Sequence, residues 1–449
     1  MLSPLRLLSS LSAPLLAVVF LATSASADAP KPNIVLIMVD DMGYADLGCY
    51  GQRHYDTPHL DRMAAEGIRF TQAYSGCCVC APARCALMTG VHNGHTLVRA
   101  NSGGVPLPDA ATTVAEVLRQ AGYTVGGYGK WGLGDIDTEG VPEKQGFDDF
   151  FGYYEQWHAH SYYRPYLIDS GKKVDTNKQY NHYLIYDQMR AFIRRHKDER
   201  FFCYAPWTPP HAGYQIPTDD PAWQVVKDKP WTGKVKGHAA FNLMVDRQVG
   251  ETLELLRELG LEKKTIVFFC SDNGPSAWFE EEDTLDSNGP LRGSKSSLYE
   301  GGIRVPLIVR WPGVIASDQV CNTPVYFPDF LPTLAELAGS GSRVPEGIDG
   351  LSFVPTLLGH GAQPHHEYLY WEHEMGRMQA VRRSDWKLVR HQRNRPWELY
   401  NLTQDIGEQH DLAAEHPNVV EELARIAARA HVDPPPQREP SAPPGRNYR

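Results

Sequence analysis

The chain has 449 residues, of which 42% are hydrophobic and 22% charged, a composition typical of a globular protein with one large core or a few domains. Its formal net charge of −10 argues against nucleic acid as the main partner, because nucleic-acid-binding domains carry an excess of positive charge. An anionic ligand would need a local cluster of basic side chains, since the overall field is slightly repulsive.

The first 27 residues have the pattern of a secretory signal peptide. An apolar stretch follows a single Arg and ends in the small-residue sequence ASA at positions 25–27. We expect cleavage before Asp28 and export to the periplasm or the medium, with an uncleaved membrane anchor as the alternative. No later segment has the roughly 20 apolar residues of a spanning helix, so we predict no stable membrane insertion after cleavage.

Three apolar runs are typical of buried parallel strands: NIVLIMVDDMG (33–43), FFCYAPWTPPH (201–211) and TIVFFCSDNG (265–274). Between them, Thr113 can cap a helix that Gly122 ends, and a longer amphipathic helix ends at Gly260. Strands that alternate with helices predict an α/β fold with a large, mostly parallel mixed sheet sandwiched by helices. Ligands of such sheets bind beyond the carboxyl ends of the strands, which here carry Asp-Asp, Pro-His and Asp-Asn.

The pattern of apolar and polar residues changes near residue 365. Short alternating segments, EYLYWEHE, MQAVRRSDWKLVR and WELYNL, predict a small antiparallel sheet on which a helix over Val419 to Ala430 would pack. We therefore predict four parts: a signal peptide (1–27), a large N-terminal domain (28–362), a small C-terminal α+β subdomain (363–433) and a Pro-rich disordered tail (434–449).

Four of the eight cysteines lie in the segment CCVCAPARCALMTG (77–90). Cysteines this dense commonly form a zinc knuckle, a redox pair or a disulfide staple. A zinc site requires a second pair of Cys or His ligands at suitable spacing, and none is evident. Eight cysteines are also too few for a disulfide scaffold in a chain of this length. Pro82 fits the first turn of a helix, which would place Cys80 at the positive helix N-terminus.

The string Cys80-x-Pro82-x-Arg84, followed by LMTG (87–90), resembles the maturation signature of type I sulfatases of the alkaline phosphatase superfamily. In that family a separate formylglycine-generating enzyme oxidises the Cys to formylglycine (3-oxoalanine), an aldehyde that hydrates to a geminal diol. The resemblance covers about residues 31 to 412, including DFLPTLAELAG (329–339) and DGLSFVPTLLG (349–359). It implies that residues 28–362 form a catalytic domain and that the maturation enzyme is a partner.

The resemblance also implies one Ca²⁺ ion. Asp40 and Asp41 resemble the first pair of calcium ligands of the family, and Asp272 and Asn273 resemble the second pair. Carboxylate and amide oxygens suit a hard cation, and the modified Cys80 would complete the site. Each pair alone is also a common combination of turn residues at a strand end, but two such pairs flanking the Cys80 signature favour the metal.

Further residues resemble the catalytic groups of the family. Lys130 in GYGKWGLG and Lys295 in PLRGSKSSLYEGGIRVP match lysines that contact the sulfate oxygens, and His211 matches the histidine that protonates the leaving alcohol. Arg84 could hold oxygens of the modified residue or of the sulfate. The resemblance implies attack of a diol hydroxyl on sulfur, charge neutralisation by calcium and the basic side chains, and general-acid catalysis by His211.

One position departs from the family pattern. The family commonly has His in G-K-W-H-L-G, and this chain has Gly132 there. We hypothesise that His158 or His160 in EQWHAHSYYRPY moves the proton instead, the alternative being that they line a substrate wall or only a loop. Four residues of the small subdomain are candidates for sugar binding or for a structural role: Trp371, Glu372, His373 and Arg382.

The signal peptide and the KWGLG and HAHSYY variants resemble bacterial sulfatases of polysaccharide utilisation. We therefore predict an exo-acting sulfatase of a sulfated carbohydrate with a galactose-type or N-acetylgalactosamine-type sugar. One alternative is a phosphomonoester or phosphonate monoester hydrolase of the same superfamily, although two-zinc phosphatases need more His ligands and an Asp followed by His, whereas Asn273 follows Asp272 here. The other is a non-catalytic binder of sulfated glycan, if Cys80 is not matured.

Overall fold

The structure, a computed structural model, describes residues 31–101, 105–276 and 284–433. The predicted signal peptide and the predicted Pro-rich tail lie outside these residues. The strands are β1 (Asn33–Asp40), β2 (Ile68–Tyr74), β3 (Thr124–Lys130), β4 (Asp149–Tyr153), β5 (Tyr166–Asp169), β6 (Lys172–Asp175), β7 (Phe201–Pro210), β8 (Thr265–Ser271), β9 (Arg304–Arg310), β10 (Gln319–Cys321), β11 (Val325–Tyr326), β12 (Leu369–His373), β13 (Met378–Arg383), β14 (Trp386–Arg390) and β15 (Glu398–Asn401). The α-helices are α1 (Pro58–Ala65), α2 (Cys80–Thr89), α3 (Val114–Gln120), α4 (Asn181–Arg195), α5 (Pro221–Val226), α6 (Gly233–Glu258), α7 (Glu300–Ile303), α8 (Phe330–Leu337), α9 (Val354–Leu358) and α10 (Pro417–Ala430).

Eleven strands of the described residues form one large mixed sheet, in the order β10-β2-β9-β8-β1-β7-β3-β4-β5-β6, with β11 beside β2. At its centre, β1 runs parallel to β7 and β8, and β3 runs parallel to β7 and β4. Antiparallel pairs occur where β9 lies between β8 and β2, and in the β4-β5-β6 ribbon. The prediction of a mostly parallel mixed sheet is confirmed, and the three apolar runs are its central strands.

Helices cover both faces of this sheet because successive side chains of a strand point to opposite sides. Along β1, Ile34, Leu36 and Met38 pack in one apolar cluster with side chains of α2, α3 and α8. Val35 and Val39 pack in a second cluster with side chains of α1, α4 and α6. Burial on both faces accounts for the continuous apolar run in the sequence of this strand.

The central strands end at one edge of the sheet. In the parallel registers, Asp40 of β1 lies beside Pro210 of β7, and Val39 lies beside Ser271 of β8. The polar residues that follow these strands therefore meet at this edge. Among the described helices, none is both long enough and apolar enough to cross a lipid bilayer.

The predicted small antiparallel sheet is also confirmed. Strands β12, β13, β14 and β15 pair in this order, and α10 packs on the sheet through Leu423, Ile426 and Ala427. The indole Nε1 of Trp371 in β12 donates a hydrogen bond to the carbonyl oxygen of Ser75 at 2.8 Å. The small sheet is therefore in direct contact with the segment that leads from β2 into α2.

Candidate active site

Cys80 lies in an acidic cluster at the carboxyl edge of the large sheet. It is the first residue of α2, and its Sγ lies 3.2 Å from Oδ1 of Asp40. Ligand atoms of Asp40, Asp41, Cys80 and His211 all lie within 4.8 Å of one another, and all four side chains are buried. Residues that the sequence places on three separate elements thus converge on one point, because β1, β7 and the start of α2 meet there.

Basic side chains pair with the carboxylates of this cluster. The closest contacts are Lys130 Nζ to Asp40 Oδ2 at 2.5 Å, Lys295 Nζ to Asp41 Oδ1 at 2.7 Å, and Arg84 Nη2 to Asp272 Oδ2 at 2.7 Å. Arg84 also donates to the backbone carbonyl of Lys130. Three cations thus balance three carboxylates in a region that is almost closed to solvent, where electrostatic interactions are stronger than in water.

The oxygen atoms of the cluster fit a hard metal cation. Asn273 Nδ2 donates to Asp41 Oδ1 at 2.7 Å, while its buried Oδ1 has no hydrogen-bond partner among the described residues. Asp41 adopts a left-handed backbone with φ of 68°, and its N–H donates to Asp272 Oδ1 at 3.2 Å. An unpartnered buried carbonyl oxygen beside three carboxylates is the donor set that Ca²⁺ prefers.

Burial sets the protonation of the cluster. Burial raises the pKa of Cys80 to about 12, and the charge of Asp40 adds to this effect. Burial also raises the pKa of Asp272 to about 7. Burial alone would raise the pKa of Asp40 too, but the charges of Lys130, His211, Arg84 and Lys295 together outweigh it and hold that pKa well below its usual value. The thiol of Cys80 is therefore neutral at physiological pH, which makes it a poor nucleophile as encoded.

His211 follows β7 and faces the acidic cluster. Its Nδ1 lies 3.0 Å from the carbonyl oxygen of Ala212, a contact that assigns the proton to Nδ1, and its Nε2 lies 3.7 Å from Asp41 Oδ2. Burial lowers the pKa of His211 well below its usual value, and the charge of Lys295 adds to this effect. The bond to Ala212 fixes the ring with Nε2 directed at the cluster.

The two histidines of the HAH segment have different surroundings. The ring of His160 stacks on His211 with a centroid distance of 4.4 Å, and its buried Nε2 has no hydrogen-bond partner in the part of the chain that the structure describes. The Nε2 of His158 lies 3.1 Å from the carbonyl oxygen of Tyr166, on whose ring His158 packs. Of the two candidates, His160 is the one in contact with the site.

Gln156 occupies the space beside Gly132. Gly132 has φ of 81°, and a Cβ atom there would lie 2.2 Å from Gln156 Nε2. The carboxamide of Gln156 is buried, and its Oε1 has no hydrogen-bond partner within the described ranges. Gln156 was not predicted from the sequence, although it lies two residues before His158, because only the fold brings it against Gly132.

A cleft of about 300 Å³ opens beside the N-terminus of α2. Ala81, Asn101, Gly132 and Gln156 are among its lining residues. Asn101 Oδ1 accepts a hydrogen bond from the N–H of Ala81 at 2.9 Å, and its Nδ2 lies 3.9 Å from Cys80 Sγ. Asn101 was not predicted either, since no motif singles it out. Ala81 and Asn101 thus place the wall of the cleft directly beside Cys80.

The candidate sugar-binding residues of the small subdomain are engaged internally. Trp371 has no exposed surface and donates to Ser75, Glu372 pairs with Arg99 at 2.9 Å, and Arg382 bonds to Gln72 at 2.5 Å. His373 lies beside two cysteines of the loop before α2. Within the described residues, neither Trp371 nor His373 lines the cleft, so we leave both out of the proposed substrate site.

Comparisons with known proteins identify the family to which this chain is similar. The family described as Sulfatase matches residues 32–340, and the family described as N-sulphoglucosamine sulphohydrolase, C-terminal, matches residues 294–430. Human N-acetylgalactosamine-6-sulfatase is 33% identical over 371 residues, covering 74% of this chain and 67% of that protein. Human arylsulfatase A is 31% identical over 475 residues, covering 89% of this chain and 88% of that protein. The crystal structure of Ps i-CgsB in complex with k-i-k-neocarrahexaose matches with a TM-score of 0.79 and 28% identity, covering 90% of this chain and 94% of that one.

Proposed function

This chain belongs to the sulfatase family and is a hydrolase of sulfate esters, and we propose that it removes sulfate from the end of a sulfated carbohydrate. The observation that carries the proposal is the buried cluster in which Cys80 faces Asp40 among three cation–carboxylate pairs. A galactose-type or N-acetylgalactosamine-type sugar is supported by the name of the human relative and by the neocarrahexaose in the Ps i-CgsB structure. Export, which the N-terminal segment predicts, is part of the proposal.

Residue 80 requires modification before it can act. Its thiol is neutral and buried, so the encoded Cys80 is a weak nucleophile. Formylglycine, which the sulfatase family normally uses, would supply at this position a hydrated aldehyde with a nucleophilic hydroxyl group. Because Cys80 has no exposed surface, a formylglycine-generating enzyme has access to it only before the chain folds or after the site opens.

Four residues would hold one Ca²⁺ ion: Asp40, Asp41, Asp272 and Asn273. When bound, this ion supplies positive charge that polarises the sulfate oxygens. Since three cations face at most three negative carboxylates here, a divalent ion would leave the cluster net positive and favourable for an anionic sulfate group.

Side chains of the protein would neutralise the charge of the sulfate and transfer the proton. Lys130, Lys295 and Arg84 lie where they can neutralise charge on the sulfate oxygens in a site of restricted solvent access. Nε2 of His211 is the ring nitrogen left free by the contact of Nδ1 with Ala212, so a doubly protonated ring could give the proton at Nε2 to the leaving alcohol. The negative charge of a bound sulfate would favour this protonated ring against the effect of burial on the pKa of His211. His160 would position His211 by stacking, and this contact supports His160 over His158 as the residue that assists proton transfer.

The cleft beside α2 would receive the sugar. Gln156 offers an unpartnered Oε1 as an acceptor for a sugar hydroxyl, and Asn101 links the cleft wall to Cys80. A group that binds a hydroxyl discriminates strongly against substrates that lack it, because its own buried polar atom is then left unpaired. Gln156 thus becomes a candidate for carbohydrate specificity in place of a side chain at Gly132.

The first experiment follows maturation and product together. The chain is co-expressed with a formylglycine-generating enzyme, residue 80 is analysed by peptide mass spectrometry, and sulfate release is measured with a chromogenic aryl sulfate and with sulfated galactose and N-acetylgalactosamine. We expect conversion of Cys80 and sulfate release, both retained in Cys85→Ser and both absent in Cys80→Ala. Converted protein that releases phosphate but no sulfate from matched esters would be a phosphohydrolase. An unconverted Cys80 in a host that matures other sulfatases would favour a glycan-binding protein.

The metal is tested separately. Removal of divalent ions with a chelator should abolish sulfate release by the converted protein, and added Ca²⁺ should restore it. Asp272→Asn should not recover with Ca²⁺ at a concentration that saturates the unsubstituted protein. Full activity of the chelated protein would rule out the calcium role.

A further inference from the structure

We propose that Cys77, Cys78 and His373 form a second metal site, which binds a soft, thiophilic ion and is distinct from the acidic cluster at Cys80. The two cysteines lie in the loop between β2 and α2, and His373 is the last residue of β12. One ligand atom from each of the three side chains lies within 4.8 Å of the others. The cysteine spacing alone indicated no second pair of ligands, because the third ligand comes from the distant small sheet.

The three side chains are enclosed. Neither thiol has any exposed surface, and His373 is only 8% exposed. The Nδ1 atom of His373 has no hydrogen-bond partner in the described part of the chain. A buried ring nitrogen without a partner is unfavourable, because it has lost its hydrogen bonds to water. A metal ion bonded to the imidazole would supply the missing interaction.

The donor set selects the kind of ion. Two sulfur atoms and one imidazole nitrogen are ligands that Zn²⁺ and Cu⁺ prefer, whereas Ca²⁺ requires oxygen ligands. The acidic cluster presents oxygen atoms of Asp40, Asp41 and Asp272 instead, and conversion of Cys80 to formylglycine would remove its one thiol. The two sites would therefore take different metals from the same mixture.

The backbone next to the three ligands has an unusual conformation after His373 and a hydrogen bond at Cys78. Glu374, Met375 and Gly376, which follow His373, all have left-handed φ angles of 50°, 55° and 74°. Non-glycine residues adopt this conformation at an energetic cost, so two in succession require compensating interactions nearby. On the other side, the N–H of Ser296 donates to the carbonyl oxygen of Cys78 at 2.9 Å. The turn and this bond hold the imidazole and the thiols close to one another.

The consequence would be a cross-link between two sheets. The loop that carries Cys77 and Cys78 leads directly to Cys80, while His373 belongs to the small antiparallel sheet. A metal bridge would fix the start of α2 relative to that sheet, in addition to the hydrogen bond from Trp371 to Ser75. The bridge would stabilise the protein whether or not Cys80 is matured.

The test measures bound metal in the full chain. Protein is produced in medium supplemented with ZnCl₂, dialysed, and analysed for zinc and copper by mass spectrometry of the elements. We expect near-stoichiometric metal in the unsubstituted protein and in Cys85→Ser, which removes a buried thiol of α2 outside the site. We expect a loss of most of this metal in Cys77→Ser, Cys78→Ser and His373→Gln. Equal metal contents in all five proteins would overturn the proposal.

A spectroscopic measurement on protein with intact Cys77, Cys78 and His373 covers the case in which the variants of these residues do not fold. Protein that carries only Cys80→Ala, which removes the thiol of the acidic cluster, and is produced in cobalt-supplemented medium should show the near-ultraviolet charge-transfer band of cobalt bound to thiolate. Absence of this band overturns the site, as does a disulfide between Cys77 and Cys78 in the peptide map. Neither readout depends on sulfate release, so failure here would leave the proposed hydrolase function untouched.

Discussion

Each basic side chain around Cys80 is paired with a buried carboxylate, and we expect its removal to lower the catalytic rate. Lys295 contacts Asp41 at 2.7 Å with a side chain only 15% exposed. In Lys295→Ala we expect kcat for a sulfate ester to fall by about 10²–10³-fold, the usual loss when one preorganised charge-stabilising group is removed from an active site. Steady-state kinetics of fully converted protein would measure this. The exposed Lys264→Ala is the matched control, and a change of only a few-fold at Lys295 would exclude a direct role.

The side chain of Gln156 occupies the space that a side chain at Gly132 would need. In Gly132→His, the left-handed φ of 81° costs roughly 1–3 kcal/mol of unfolding free energy for a non-glycine residue. The clash of the new Cβ with Gln156 Nε2 at 2.2 Å adds to this cost. Chemical denaturation would measure the total loss of unfolding free energy. Gly171→Ala isolates the backbone part, because Gly171 has φ of 85° and no atom of the described residues lies within 4 Å of its Cβ.

The double variant Gly132→His/Gln156→Ala decides whether the two positions interact. We expect it to regain part of the stability lost in Gly132→His, since the carboxamide that clashes is gone. Purely additive losses would show that Gln156 does not fill the space of the absent side chain.

The local sequence predicted the central strands, α3, α6 and the small sheet with α10, but not the contacts between distant elements. Central strands β1, β7 and β8 were predictable because burial on both faces keeps the middle of each strand almost entirely apolar. The capping box of α3, in which Thr113 and Glu116 exchange hydrogen bonds, follows directly from local spacing. The proximity of His373 to Cys77 or of Gln156 to Gly132 depends on chain segments folding over one another, for which a single sequence carries no local signal.

A histidine–aspartate pair links the start of α8 to the segment before β12. His366 Nε2 lies 2.8 Å from Asp329 Oδ1. Burial alone would lower the pKa of His366, but the carboxylate and its hydrogen bond outweigh this and raise it above the usual value. A histidine with a raised pKa in the folded state contributes stability that is complete below its unfolded pKa of about 6.5 and is lost as pH rises through the folded pKa.

Denaturation from about pH 5.5 to 8.5 would reveal this contribution. We expect His366→Gln to lower the unfolding free energy most at the acidic end of the range and least at the alkaline end. The neighbouring exposed His365→Gln should leave the pH profile of the unsubstituted protein unchanged. A loss in His366→Gln that is the same at every pH would exclude the ion pair as its cause.

At the scale of the whole molecule, a buried lysine joins the small sheet to the large one. Lys387 of β14 has no exposed surface, and its Nζ lies 2.9 Å from both Glu300 and Glu408. In Lys387→Met we expect a loss of about 3–5 kcal/mol of unfolding free energy, because Glu408 is left buried without its cation and Glu300 keeps Arg304, at 3.2 Å, as its ion-pair partner. Adding Glu408→Gln to this variant should recover part of the loss. Denaturant titration would measure both, and a loss within the error of the titration would contradict the role.

The hydrogen bond from Trp371 to Ser75 limits how this protein can be redesigned. Ser75 Oγ lies 2.8 Å from the carbonyl oxygen of Cys77 and 2.5 Å from that of Asp272, so the indole supports a segment that contacts the acidic cluster. A small C-terminal sheet transplanted from a relative would have to reproduce this contact as well as its own fold. The two sheets are thus poor candidates for recombination as interchangeable modules, and chimaeras should be joined at other positions.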